Sequence, residues 1–144
     1  MNIFPLQSAH LSAVAALERE CFGQPWSEGA LATLLAPEAI CFVACDEEGR
    51  VIGYGGMLTV LDEGQITNIA TANTHRRQGV AREILGAMLS EAKARGLKTV
   101  SLEVRASNTG AQALYTQKGF RAVGVRRGFY AHPREDGLVM VLTI

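Results

Sequence analysis

Between Gly79 and Arg95, apolar side chains recur at Val80, Ile84, Leu85, Met88, Leu89 and Ala92. That spacing gathers them on one face and predicts an amphipathic helix, with Gly96 as its stop. From Leu97 to Arg105 the pattern changes to alternation. Val100, Leu102 and Val104 take one side; Ser101, Glu103 and Arg105 take the other. Period two marks a strand with one buried face. Residues 3–6 read as a short strand, and Ser8 or Ser12 opens a helix through 13–22. Pro25-Trp26-Ser27 breaks the chain, and Ser27 is placed to cap a helix over 28–35 that Pro37 ends. Residues 39–45 form a strand, Glu47-Glu48-Gly49-Arg50 a hairpin turn, and 51–61 a second strand. Glycines 53, 55 and 56 inside that strand indicate a bulge or a close backbone approach. A strand over 65–71, a helix from Asn108 to Lys118 stopped by Gly119, and strands over 120–129 and 138–144 complete the chain. The order of strands and helices predicts a mixed sheet with helices on its faces.

Composition narrows this further. The 144 residues fit one domain, 1–144, and 48% hydrophobic content suffices for a core. Fourteen basic residues balance fourteen acidic ones, which argues against a strongly basic nucleic-acid binder. No apolar run is long enough to span a bilayer, and the first residues lack the pattern of a signal peptide. A soluble, cytoplasmic protein is expected. Cys21, Cys41 and Cys45 are odd in number and form no CxxC pair, so neither a disulfide framework nor a zinc site is indicated.

Two segments carry candidate chemistry. Arg76-Arg77-Gln78-Gly79-Val80-Ala81-Arg82 leads into the long helix. Small residues at 79 and 81 let a ligand approach the backbone. The first helical turn offers unpaired N–H groups and partial positive charge, suited to a pyrophosphate. The segment is neither a Walker loop nor a GxGxxG fingerprint, and an ordinary strand-to-helix turn would read the same way. The second segment runs from Leu102-Glu103-Val104-Arg105-Ala106-Ser107-Asn108 through Ala113-Leu114-Tyr115 to Gly119-Phe120.

Here the motifs resemble a known family. Arg76-x-x-Gly79-x-Ala81 is similar to the acetyl-CoA signature of the GNAT acetyltransferases. The stretch from Leu102 to Phe120 resembles a narrower group, the RimI-type enzymes that acetylate the N-terminal alanine of a small-subunit ribosomal protein. Pro25-Trp26-Ser27, Leu61-Asp62-Glu63, Asn68-Ile69-Ala70, Arg126-Arg127 and Tyr130 also match, in order along the whole chain. Three positions depart from the pattern: Ala81 for the commoner second glycine, Thr71-Ala72-Asn73 for a Val-Asp-Pro turn, and Phe129 where tyrosine is common.

The resemblance implies a GNAT α/β (α+β) fold: a mixed, mostly antiparallel sheet of about seven strands, about four helices and a V-shaped opening. It implies acetyl-CoA as co-substrate, no metal, and a protein N-terminus as acceptor, with a small amine or a lysine side chain as the alternative. It marks Glu103 as general base, acting through water, and Tyr115 as general acid. A surface ion pair of Glu103 with Arg105, or a half-buried aromatic at 115, would account for the same residues. Ile69, Ala70 and Thr71 correspond to the strand whose backbone holds the acetyl and pantetheine groups, and residues 76–82 to the pyrophosphate loop. Asn108 corresponds to a cofactor contact, and a helix cap accounts for it equally. Trp26 and Tyr130 fall at the acceptor groove, unless they only pack beneath their loops. Asp62-Glu63 and Glu135-Asp136 could offer negative charge to a basic peptide. A monomer is expected.

Overall fold

The computed structural model describes residues 1–144. Its strands are β1 (Asn2–Pro5), β2 (Ile40–Cys45), β3 (Val51–Val60), β4 (Glu63–Thr71), β5 (Thr99–Arg105), β6 (Arg121–Ala131) and β7 (Arg134–Thr143). Its helices are α1 (Leu11–Cys21), α2 (Glu28–Leu31), α3 (Val80–Ala94) and α4 (Thr109–Gln117). The strands make one seven-stranded sheet in the order β1-β2-β3-β4-β5-β7-β6. Every neighbouring pair is antiparallel except β4 and β5. The mixed, mostly antiparallel sheet and four helices agree with the fold expected from sequence.

Two apolar layers cover the sheet. On one side the α3 stripe of Val80, Ile84, Leu85, Met88 and Ala92 packs with Val100, Leu102 and Val104 of β5 and Tyr115 of α4. On the other, Val14, Ala15 and Leu17 of α1 pack with Leu31, Leu34, Val43 and Tyr54. The glycines in β3 serve close approach. A Cβ at Gly55 would lie 2.6 Å from the Met88 sulfur and 2.7 Å from Ile84, so α3 sits directly on the backbone there. A bulge is present as well, where the β3–β4 register shifts between Gly56 and Met57.

Two expectations are corrected. The helix over 28–35 is a single turn, α2, followed by a 3-10 turn over Ala32–Leu35. Leu31 and Leu34, both buried, are three residues apart, the repeat a 3-10 turn presents on one face. The last strand begins at Arg134 rather than 138, because the polar residues Arg134, Glu135 and Asp136 continue the β6–β7 hairpin outward.

The feature that positions the site is the β4–β5 seam. The two strands pair only at Glu63↔Thr99, Gly64↔Val100 and Gln65↔Ser101. Beyond Gln65, β4 stays with β3 and β5 stays with β7. The strands therefore diverge and leave two facing edges across a V-shaped opening.

Candidate active site

A trough of about 450 Å³ enters this opening. Ile69, Ala70 and Thr71 of β4 line one wall, and Asn108, Gly110, Ala111, Leu114 and Tyr115 line the other. The floor and mouth are His75, Arg76, Arg77, Gly79, Val80, Ala81 and Arg82, with Cys21 and Phe22 at the end of α1. Gln78 is the exception in its loop: it does not line the trough, and its amide turns back to the Thr74 carbonyl at 3.5 Å.

The mouth is built to receive an anion. Gly79 precedes α3 with φ +81°, a left-handed conformation, and no side chain caps the helix. The first-turn N–H groups thus stay available, with the positive end of the helix dipole behind them. Arg77 is also left-handed, at φ 63°. Arg76, Arg77 and Arg82 add charge at the rim, and Arg82 donates to Gln117 of α4 at 2.6 Å. Deeper in, Val80, Ala111 and Leu114 make the walls apolar. A phosphate-bearing group with an apolar arm fits this gradient.

The β4 wall presents backbone. The Ala72 amide donates to the Ile52 carbonyl at 2.8 Å, toward β3. Strand alternation then turns the main-chain groups of Ile69 and Thr71 away from β3, into the opening. The Thr71 carbonyl accepts the Cys21 thiol at 3.4 Å. Burial pushes the pKa of that thiol up, which keeps it protonated. Across the trough, the Asn108 side chain accepts from the Ala111 amide at 3.1 Å. It is the α4 cap, and it also lines the trough.

Tyr115 lines the trough, whereas Glu103 sits on the opposite face of β5. Tyr115 is 8% exposed and packs edge-on against Phe120, with ring centroids 5.7 Å apart. Burial pushes its pKa up to about 12. Glu103 lies outside the trough, on the face away from α3, with its side chain 13% exposed. Its partner is not Arg105. Glu103 accepts from Arg126 of β6 at 3.3 Å, whereas Arg105 pairs with Glu135 at 3.2 Å.

Arg105 instead ties down the β6–β7 hairpin. It donates to the Pro133 carbonyl at 2.9 Å and the His132 carbonyl at 3.2 Å, and its guanidinium sits 4.4 Å from the Tyr130 ring centre. Tyr130, half-buried, has its pKa raised by burial and then by the charge of Glu103. Glu135 accepts from the Ser107 amide at 2.6 Å, and Asp136 from the Gly128 amide at 2.8 Å. Both acids therefore fasten the hairpin. Asp62 and Glu63 stand at the paired end of the seam, next to Lys98 and Thr99, away from the opening.

Trp26 lies half-buried in the loop between α1 and α2, against the α1-side core. A Cβ at Gly23 of this loop would come within 2.8 Å of the His132 carbonyl oxygen, so the loop touches the β6–β7 hairpin. Below it is the one buried charged residue, Glu18, 0% exposed. Its carboxylate accepts from the Trp26 amide at 2.8 Å, the Tyr54 hydroxyl at 2.5 Å and the Asn68 side chain at 3.0 Å. Burial, then the neighbouring carboxylate, lifts Tyr54 far above the usual phenol range. Sequence reasoning missed this cluster. The one available signal was Glu18 standing beside Leu17 on the apolar face of α1. No group of three or more His, Cys, Asp or Glu side chains is arranged to hold a metal ion. No helix is long and apolar enough to cross a membrane.

Known proteins resemble this chain in sequence and fold. Residues 11–120 match the acetyltransferase (GNAT) family. The ribosomal protein bS18-alanine N-acetyltransferase of Escherichia coli (strain K12) is 35% identical over 145 residues, covering 99% of this chain and 97% of that one. The enzyme of the same name from Haemophilus ducreyi is 36% identical over 123 residues, covering 82% and 83%. The crystal structure of the ribosomal-protein-S18-alanine N-acetyltransferase from Escherichia coli superposes with a TM-score of 0.91, at 34% identity, covering 99% of this chain and 93% of that one.

Proposed function

The chain belongs to the acetyltransferase (GNAT) family. From that premise we propose that it transfers the acetyl group of acetyl-CoA directly to the N-terminal α-amine of a protein, alanine by preference, with a small-subunit ribosomal protein as acceptor. The near-full-length likeness to bS18-alanine N-acetyltransferases supports the acceptor class. The observation that supports the chemistry is the diverging seam: β4 and β5 pair only at Glu63↔Thr99, Gly64↔Val100 and Gln65↔Ser101, and Glu103 follows on β5 beyond the last pair.

In this reading the rim arginines and the first turn of α3 hold the pyrophosphate. The apolar walls take the pantetheine arm, and Asn108 adds a polar contact. Glu103, through a water, removes a proton from the acceptor ammonium. The neutral amine attacks the thioester carbonyl. A backbone N–H of Ile69 or Thr71 stabilises the oxyanion as charge develops. The N–C bond forms, the C–S bond breaks, Tyr115 gives its proton to the departing sulfur, and the acylated nitrogen gives up its remaining extra proton to water. Solvent then restores the phenol. Trp26 and Tyr130 border the groove that receives the acceptor chain.

Proton chemistry favours an α-amine over lysine. Their ordinary pKa values, about 8 and about 10.4, differ by roughly 3 kcal/mol in the cost of reaching the neutral nucleophile. One water-linked carboxylate bridges the smaller gap more easily.

Intact-mass spectrometry of two peptides tests the reading. One begins with free alanine followed by basic residues. The other has a blocked α-amine and carries lysines. Acetylation of the first alone is expected. Acetylation of the second, or of neither, would refute the acceptor assignment.

A further inference from the structure

The two walls of the reaction centre are built from distant parts of the chain, and one side chain joins them. The acceptor side is the Trp26 loop. The donor side is β4, where Asn68 precedes Ile69, whose backbone faces the opening. Glu18 lies beneath both. Its Oε1 accepts from the Trp26 amide, and its Oε2 accepts from Asn68 Nδ2 and the Tyr54 hydroxyl. No other charged residue in the chain is fully buried.

A merely structural explanation fits poorly. Burying a carboxylate is costly unless it is fully hydrogen-bonded, and an apolar residue of similar size would fill the α1 core at less cost. The shape of the cluster also matters. Three neutral donors converge on one carboxylate from three elements: the loop, β3 and β4. A carboxylate accepts all three at once. An amide cannot, because its NH2 end would meet a donor.

We propose that Glu18 is a positioning residue. It fixes the Trp26 loop to β4, and so sets the separation of the acceptor amine from the thioester carbonyl. This rests on the reading that the Trp26 loop borders the acceptor groove. Reacting atoms must be held close and aligned, and a shift of about 1 Å can lower the rate about 100-fold. The α3 end of the trough, where the proposed function puts the pyrophosphate, contains none of the residues of this cluster.

The variant Glu18→Gln separates the two walls. Trp26 is the only tryptophan in the chain, so its fluorescence reports on the loop alone. In folded Glu18→Gln we expect a red-shifted Trp26 emission with easier acrylamide quenching. With the alanine peptide, acceptor KM should rise about tenfold and kcat should fall at least about tenfold, while acetyl-CoA KM stays within about twofold. Unchanged emission and acceptor KM would overturn the proposal. So would an equal rise in both KM values, which is what general loosening gives. If Glu18→Gln does not fold, Tyr54→Phe takes its place. It keeps the ring and removes one of the three donors. A smaller rise in acceptor KM with the same split is expected, and no change in either KM would overturn the proposal. If the unmodified chain acetylates neither peptide, the proposed function fails. The Trp26 emission of the variant then decides this inference by itself.

Discussion

Replacing Tyr115 with phenylalanine removes one oxygen and leaves the ring. The ring holds its edge-on contact with Phe120 and its place in the α3-side core, so the fold should be indifferent. Stability should change by less than about 1 kcal/mol. The reaction should not be indifferent. Burial sets the phenol pKa at about 12. A free thiol is near 8.5, a gap of about 3.5 units, or roughly 5 kcal/mol uphill for complete transfer in water. The opening is not water. Cys41 of this same chain shows what burial does to a thiol: its pKa is pushed up to about 12. Partial burial beside Tyr115 raises a thiol as well, which narrows the gap. Phenylalanine forces the sulfur to leave as an unprotonated, poorly solvated anion. Loss of a general acid typically lowers the rate about 10²–10⁴-fold, or roughly 2.7–5.4 kcal/mol. The assay is single-turnover release of free thiol from pre-bound acetyl-CoA, mixed with alanine peptide, alongside a coenzyme A binding titration. Binding within about twofold and thiol release at least about 100-fold slower is expected. Unchanged release would remove Tyr115 from the mechanism. Restored release with a peptide whose amine is already neutral would also refute the reasoning, since it would assign the phenol to the amine.

Other perturbations should separate the parts of the site. Glu103→Gln should lower turnover at neutral pH by about 100-fold or more, with coenzyme A affinity unchanged in a titration. Gly79→Ala forces a Cβ into a left-handed residue at φ +81°. That costs roughly 1–2 kcal/mol, so the dissociation constant for coenzyme A should rise about 5–30-fold. Glu135 has its pKa lowered from the ordinary 4.5, first by its hydrogen bond to Ser107 and then by Arg105. A lowered folded value means a stabilising contribution that is present above about pH 4.5 and lost as acid titrates it. Glu135→Gln should therefore flatten the fall of melting temperature below that pH, measured by scanning calorimetry.

The sequence and the structure agree best where one side of an element meets a core. The α3 stripe and the alternation of β5 each follow from a single buried face. The β6–β7 hairpin hid its start because both its faces meet solvent, so no alternation marks Arg134, Glu135 and Asp136 as a strand. An ion pair of Glu103 with Arg105 is the alternative reading, because residues two apart share a strand face. The true partner of Glu103, Arg126, lies two strands away, beyond β7, and only sheet order brings it there. Glu18 was hidden for a similar reason. Its three donors lie 8, 36 and 50 residues away in the chain. The anion-binding loop was legible because a helix start needs only neighbouring residues. Gln78 alone departed, through a local turn back to Thr74.

The parted seam has a consequence for how the protein lives in a cell. Two strand edges face each other with backbone groups that water must satisfy, and edges of that kind invite pairing with other chains. In the proposed function, an acyl donor lying in the opening would act as an absent eighth strand. It binds the folded chain only, so it adds stability by mass action, about 2.7 kcal/mol at a hundred times its dissociation constant. A cell rich in acetyl-CoA would keep this chain folded and resistant to proteases. A starved one would leave the seam unstitched, and the abundance of the protein would track the supply of its own fuel.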